Sequence, residues 1–352
     1  MVDESSKKKI DTRQINFYES KALKDKRSEE DILDIKEFLI EKRVPEYRPF
    51  YKGATLENLV GLSQDFKERL IRPIISRMID STNDVKDLRP LSFIFEGMPG
   101  VGKSVTSRVL ANSFDTELKT LQLANIQSKW VGEGEHNFHN FIEDAMILAE
   151  SYYPRPVVIR CEEAEVLLRS KKAYFGKGSK TDGYGELLPI LLSHLSGDYL
   201  NEEHSRSFLL WIFNVNEKEV IGKALRSRSI PFNFPLPDPN TCAKLLIYGT
   251  LGKGYLVKDY REIDWKKLGN VAFSDNLSHR QIIRACEISK SNAVMRDILG
   301  SKDVEYISEL VSDPSLVFDR CGNYSIREAD ISYGLKEVIK QKAVFTDKYP
   351  NR

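Results

Sequence analysis

The residues "GMPGVGKS", Gly97 to Ser104, follow directly on the apolar run "LSFIFE". Their spacing is G-x-x-x-x-G-K-[ST], in which the glycines let successive backbone N–H groups turn inward around phosphate oxygens. Lys103 would reach the β- and γ-phosphates of a nucleotide, and the Ser104 hydroxyl would ligate Mg2+. The following run "VTSRVLANSF" reads as a helix whose N-terminal dipole favours the same anion. A second group of reactive side chains ends the run "PVVIRC": Glu162 and Glu163, with Glu165 beyond. Beside a phosphate loop, one strand-end carboxylate can hold Mg2+ through water while another orients or deprotonates the attacking water. The metal role falls to Glu162 and the water to Glu163, and a nucleotide with Mg2+ is the expected ligand pair.

These groups need a scaffold, and the chain supplies an alternating one. From "TLENLVGLSQDFKERLIRPIISRMI" onward, helical stretches alternate with the short β-rich runs "LSFIFEG", "ELKTLQLA", "PVVIRCEE", "SFLLWIFNV" and "IPFNFPLP". Such alternation predicts a parallel sheet covered by helices on both faces. After "PLPDP" the β runs stop, and the chain reads as helical to about Lys342. Three regions follow: a charged N-terminal extension over residues 1–54, an α/β nucleotide-binding domain over 55–238, and an all-α domain over 239–345. Within the extension, "SEEDILDIKEFLIEKR" has helical spacing, with Ser28 as its N-cap.

Composition narrows the function classes. The 352 residues are 41% hydrophobic and 30% charged with a net charge of +1, without the basic excess typical of a dedicated nucleic-acid binder. The four cysteines are far apart and form no C-x-x-C pair, which argues for free thiols in a reducing, cytoplasmic setting. His136 and His139 stand three apart but have no third ligand at metal-binding spacing, and read as surface histidines. The N-terminus lacks the apolar segment of a signal peptide. No apolar run approaches the ~20 residues that span a bilayer.

One aromatic is out of place. Trp130 lies in "QSKWVGEGEHNF", polar and glycine-rich surroundings that are poor material for a core, although a ring of its size usually removes about 150–250 Å² from water. It is read either as part of a local buried cluster or as an exposed ring that touches a partner.

Taken in order, "LENLVGL", "GMPGVGKS", "SKWVGEGEHNFHNFIEDA", "PVVIRCEEAEVLL", "LLSHLSGD", "FLLWIFNVN", "ALRSR" and "FPLPDP" resemble one AAA module of the AAA+ superfamily. The resemblance is closest to the protein-remodelling branch that includes katanin, spastin and the ESCRT-disassembling ATPase, and spans about four-fifths of the chain. It implies a P-loop NTPase sheet flanked by helices and followed by a small all-α lid. It also implies a nucleotide-contacting set of Gly61 on the adenine side and Gly97, Pro99, Gly100, Val101, Gly102, Lys103, Ser104 and Val105 around the phosphates. Asn216 falls where the family keeps its sensor-1 residue, with Asn214 as the other register. Arg228, and second Arg226, fall where the family carries arginine fingers for the neighbouring subunit's ATP. In "NLSHRQIIRACEIS", Arg280 is placed as a sensor-2 arginine. Lys129, Trp130, Val131 and Gly132 match the aromatic pore loop, which implies a six-membered ring that grips a polypeptide. In "IREADISYGLKEV", which resembles the last lid helix, Ile331, Leu335 and Val338 are expected to face inward.

The chain departs from the family pattern in four places. Glu162-Glu163 replaces the usual Asp-Glu of Walker B, and Arg160 interrupts a strand that is normally apolar. The phosphate loop has Met98 and Val101 for the common proline and threonine. The finger region has Ser229 and Pro231 where the family keeps a phenylalanine and further charge. Three functions therefore compete. The leading one is an ATP-driven ring motor that remodels a protein substrate or an adaptor-bound one. The basic loop "RSKKAYFGKGSK" would suit a DNA-associated ATPase of the helicase-loader type. The acidic pair would also suit a nucleotide-gated scaffold of low turnover.

Overall fold

The structure is a computed structural model that describes residues 56, 59–82, 89–122, 126, 133–168, 187–198, 206–216, 221–253, 255, 257, 260–299 and 324–348. The helix expected at "SEEDILDIKEFLIEKR", the loop 129–132 and the basic loop 169–180 lie outside the described residues.

The elements run α1 (Gln64–Thr82), β1 (Leu91–Glu96), α2 (Lys103–Ser113), β2 (Leu118–Leu121), α3 (Glu133–Tyr152), β3 (Val157–Cys161) and α4 (Glu165–Leu168). They continue with α5 (Leu187–Ser196), β4 (Leu209–Val215), α6 (Lys223–Arg226) and β5 (Ile230–Asn233). The last helices are α7 (Pro239–Thr250), α8 (Trp265–Ser274), α9 (His279–Val294) and α10 (Glu328–Lys348). All five strands pair in parallel, in the order β2-β3-β4-β1-β5.

The hydrophobic pattern places each strand. All seven residues of β4, "LLWIFNV", are buried, as a strand with neighbours on both sides and helices on both faces requires. β5, at the edge, buries only Phe232 of its four residues, and tolerates Pro231 because an edge strand has one side free of the ladder. Side chains alternate across the sheet. Ile94, Ile159, Trp211 and Phe213 therefore face one way, into a core with Phe138, Ile142 and Met146 of α3 and Leu191 of α5. Phe93, Phe95, Val158, Leu210 and Ile212 face the other way, against Leu70 and Ile74 of α1 and Val109 and Leu110 of α2. This second face is rich in aromatics; the Phe95 and Phe234 rings lie 4.8 Å apart.

The helical portion has a third core. Leu245, Leu246, Ile282 and Cys286 meet Ile331, Leu335 and Val338 of α10 there, the last three at 0%, 1% and 2% exposure. Its helix starts are written in the sequence. Asp238 accepts from the Thr241 N–H at 2.9 Å with Pro239 just inside the helix, and Ser278 and Gln281 form a reciprocal capping box on α9. Outside the sheet, a parallel bridge joins Val257 and Ile326.

Candidate functional site

A cleft of about 550 Å³ opens where the loop after β1, the ends of β3 and β4, and the start of α9 converge. In a parallel α/β sheet this is the carboxyl end of the strands, where the connecting loops leave space for a ligand.

The loop is shaped by its glycines. Gly100 and Gly102 hold φ of 83° and 101°, a region open to glycine at no steric cost. Gly97 has no room for a side chain, since a Cβ there would lie 2.6 Å from the Phe234 carbonyl oxygen. Pro99, Gly100, Gly102, Lys103, Ser104 and Val105 line the cleft. Val101 instead turns into the sheet core at 2% exposure, so that only its backbone can serve a ligand.

Lys103 opens α2 and is 7% exposed. Its ammonium donates to the carbonyls of Gly97 at 2.5 Å and Met98 at 3.1 Å, and to Asn216 Oδ1 at 2.9 Å. Burial lowers its pKa; Glu165 and Glu162 oppose that shift, and Arg280 adds to it. The Ser104 hydroxyl donates to Glu162 Oε2 at 3.0 Å, which puts two hard oxygen donors side by side at the helix N-terminus. That donor set fits Mg2+, which prefers oxygen ligands and keeps several of its waters. Glu163 lines the same cleft, is exposed, and sits in the left-handed region at φ 48°.

Both asparagines of β4's end reach the site, by different routes. Asn216 meets Lys103 through its side chain, and its backbone N–H donates to the Glu165 carboxylate. Asn214, 2% exposed, donates from Nδ2 to Glu162 Oε2 at 2.9 Å and to Ser104 Oγ at 3.4 Å.

The helical portion closes the cleft from the other side. The Arg280 N–H donates to the Gly100 carbonyl at 3.0 Å, and the Arg280 side chain lines the cleft with Arg284, one helical turn on. Gly61 itself is not among the lining residues, whereas Leu59, Val60 and His279 are. Gly61 takes φ 101° against the His279 ring, which any Cβ would strike. Burial pulls the His279 pKa down to about 4, so its imidazole is neutral at pH 7.

Neither Arg226 nor Arg228 lines the cleft. Arg226 pairs with Glu96 Oε1 at 3.2 Å, and Arg228 donates to Ser196 Oγ at 2.9 Å and to the Ala224 carbonyl at 2.8 Å. Ser229 fills the space beside them as a buried hydroxyl, 2.8 Å from Ser92 Oγ. Lys129, Trp130, Val131 and Gly132 lie outside the described residues.

Sequence reasoning treated Arg160 as an interruption and Asn214 as a rival register; both side chains converge on Glu162. The signal was present. Arg160 lies on β3 two residues before Glu162, which follows the strand's end, and Asn214 is a polar residue within an otherwise apolar run. His279, Arg284 and Tyr248, which also line the cleft, carry no comparable local mark.

Residues 93–235 match the family model described as "ATPase family associated with various cellular activities (AAA)". Over 201 residues the chain is 25% identical to a putative 26S proteasome regulatory subunit homolog of Methanothermobacter thermautotrophicus, covering 57% of this chain and 49% of that protein. It is 24% identical to fidgetin-like protein 1 of Drosophila melanogaster, covering 56% of this chain and 35% of the other. It is also 24% identical to the Arabidopsis thaliana protein suppressor of K(+) transport growth defect 1, covering 54% and 40%. The chain thus matches about half the length, or less, of these relatives.

Proposed function

Since residues 93–235 make this chain a member of the AAA ATPase family, we propose that it hydrolyses ATP as a ring oligomer, of six subunits, and uses the cycle to remodel a protein substrate. The observation that carries the reading is the convergence of Lys103, Ser104, Glu162 and Asn216 within 3.0 Å contacts at the mouth of one cleft. In this reading Lys103 and the loop N–H groups hold the phosphates, and Ser104 with Glu162 would hold Mg2+. That ion supplies charge neutralisation on the phosphate oxygens when bound. Glu163 orients and deprotonates the attacking water, and its exposed position lets a water reach it. Asn216 fixes the geometry between Lys103 and that water. Arg280 reaches the nucleotide from the lid, and Leu59 and Val60, held in place by the turn at Gly61, flank the base.

Arg228 and Arg226 do not line the chain's own cleft, which supports reading them as groups donated to an adjacent subunit. An arginine supplied this way contributes roughly 10³–10⁵ in rate in phosphoryl transfer. Hydrolysis therefore requires assembly. Lys129, Trp130, Val131 and Gly132 are proposed as the loop that grips the polypeptide. No helix among the described residues is long and apolar enough to cross a membrane. The free thiols of Cys161, Cys242 and Cys286, all buried, suit the reducing, cytoplasmic setting proposed for the chain.

The test is specific activity against protein concentration. Turnover per subunit should rise steeply as rings form, and Glu163→Gln should assemble with ATP yet not hydrolyse it. Constant specific activity down to monomeric dilution would sink the ring reading.

A further inference from the structure

Glu162 is one methylene longer than the aspartate of the family pattern, and β3 places a cation two residues before it. The two departures meet. Arg160 Nε lies 3.0 Å from Glu162 Oε1, a close ion pair whose N–H does not point straight along the line to the oxygen. The same guanidinium donates to the Ser104 carbonyl at 3.2 Å and to Thr120 Oγ1 at 3.1 Å. It is therefore fixed from α2 and β2 at once, and at 12% side-chain exposure it cannot swing into water without leaving both partners. Asn214 completes the arrangement from β4 by donating to Glu162 Oε2. One oxygen of the carboxylate thus faces a permanent cation, and the other already accepts from Asn214 and Ser104. Burying an arginine in an apolar strand is costly unless it is paired and hydrogen-bonded, and here it is both.

We propose that Arg160 is a built-in counter-ion for Glu162, which, with Asn214, holds the carboxylate against Ser104 and lowers the protein's dependence on Mg2+ for nucleotide binding. This rests on reading Glu162 as the metal-side carboxylate. The physics has two parts. A divalent cation approaching Ser104 and Glu162 meets a carboxylate whose charge is already balanced, and also feels the like charge of the fixed guanidinium. A polyphosphate meets the reverse: Lys103, Arg280 and Arg284 face it, and Arg160 offsets the repulsion from Glu162. Arg160 does not line the cleft, so it acts through Glu162 as a positioning residue.

The experiment uses the full chain and a fluorescent, non-hydrolysable ATP analogue, titrated in EDTA and across a Mg2+ series. In the wild type the affinity in EDTA should lie within about threefold of that at saturating Mg2+. In Arg160→Met the Mg2+ midpoint should fall by about tenfold while affinity in EDTA weakens, so the ratio of the two affinities widens. Arg160→Lys keeps the charge and should hold the midpoint near wild type, a rescue that a purely structural role does not predict. Arg160→Gln removes the charge while keeping polar contacts, and stands in should the methionine variant fail to fold by thermal melt. A folded, neutral variant with an unchanged or higher Mg2+ midpoint overturns the proposal while leaving the nucleotide site intact. If the wild type binds no analogue under any condition, the underlying site reading falls with it.

Discussion

Asn216→Ala should slow ATP turnover while leaving nucleotide affinity nearly intact. Asn216 Oδ1 accepts from the Lys103 ammonium at 2.9 Å, and a hydrogen bond to a charged group contributes about 1.5–3 kcal/mol net. At about 1.4 kcal/mol per decade, that corresponds to roughly 10- to 150-fold. Lys103 retains its bonds to the Gly97 and Met98 carbonyls, so the ammonium stays at the loop without Asn216. Ground-state binding is therefore largely preserved, with Kd expected to move by less than about threefold, and the loss falls on kcat. Asn214→Ala is the companion variant. It touches Glu162 and Ser104 rather than Lys103, and its own Oδ1 is buried without a partner. Its removal deletes one bond to a carboxylate and relieves an unsatisfied acceptor, for a smaller effect on turnover at saturating Mg2+. Phosphate release at protein concentrations where specific activity has levelled off, together with analogue Kd, reads both variants. A large kcat loss in Asn214→Ala with Asn216→Ala unaffected would refute the reasoning and reverse the register.

Gly61→Ala places a Cβ in the His279 ring at a φ of 101°, so stability should drop by about 1–3 kcal/mol and analogue binding should weaken, measured by denaturant unfolding and fluorescence titration. In the helical portion, Asp330 is 1% exposed and accepts from Asn292 at 2.7 Å, from the Arg327 N–H at 2.8 Å and from Arg296. Asp330→Ala should cost about 3–5 kcal/mol in denaturant unfolding by leaving those donors unpaired. Burial lowers the pKa of both His194 and His279 to about 4. For a histidine whose folded pKa lies below its unfolded value near 6.5, the contribution to stability is complete above about pH 6.5 and is lost as pH falls toward 4. Stability should fall across that window by up to about 1.4 kcal/mol per pH unit per histidine, and His194→Leu should flatten the slope.

The fold was legible wherever one local rule decided it. Strand β4 reads as seven apolar or buried positions, α7 announces itself by Asp238-Pro239, and α9 by Ser278 and Gln281. The loop proposed to hold phosphate was legible for the same reason: its backbone conformation is set by Gly97, Gly100 and Gly102, which the spacing alone encodes. The orientation of Val101 was not legible, because only packing against Phe95 and Phe234 decides which way the loop's apolar side chain turns.

By itself, then, the sequence determined the parallel sheet, the glycine-shaped loop after β1 and the acidic strand end, all of which depend on neighbours within a few residues. The tertiary structure alone decided what those acids touch. Arg160, Glu162, Ser104, Thr120 and Asn214 come from α2 and three strands, and they meet because parallel pairing sets β2, β3 and β4 side by side in register. Strand spacing of roughly 4.8 Å brings such side chains within hydrogen-bond reach across the sheet, whatever their distance along the chain. A charge in an apolar strand looks like a defect in one dimension; across three strands it is one half of a pair.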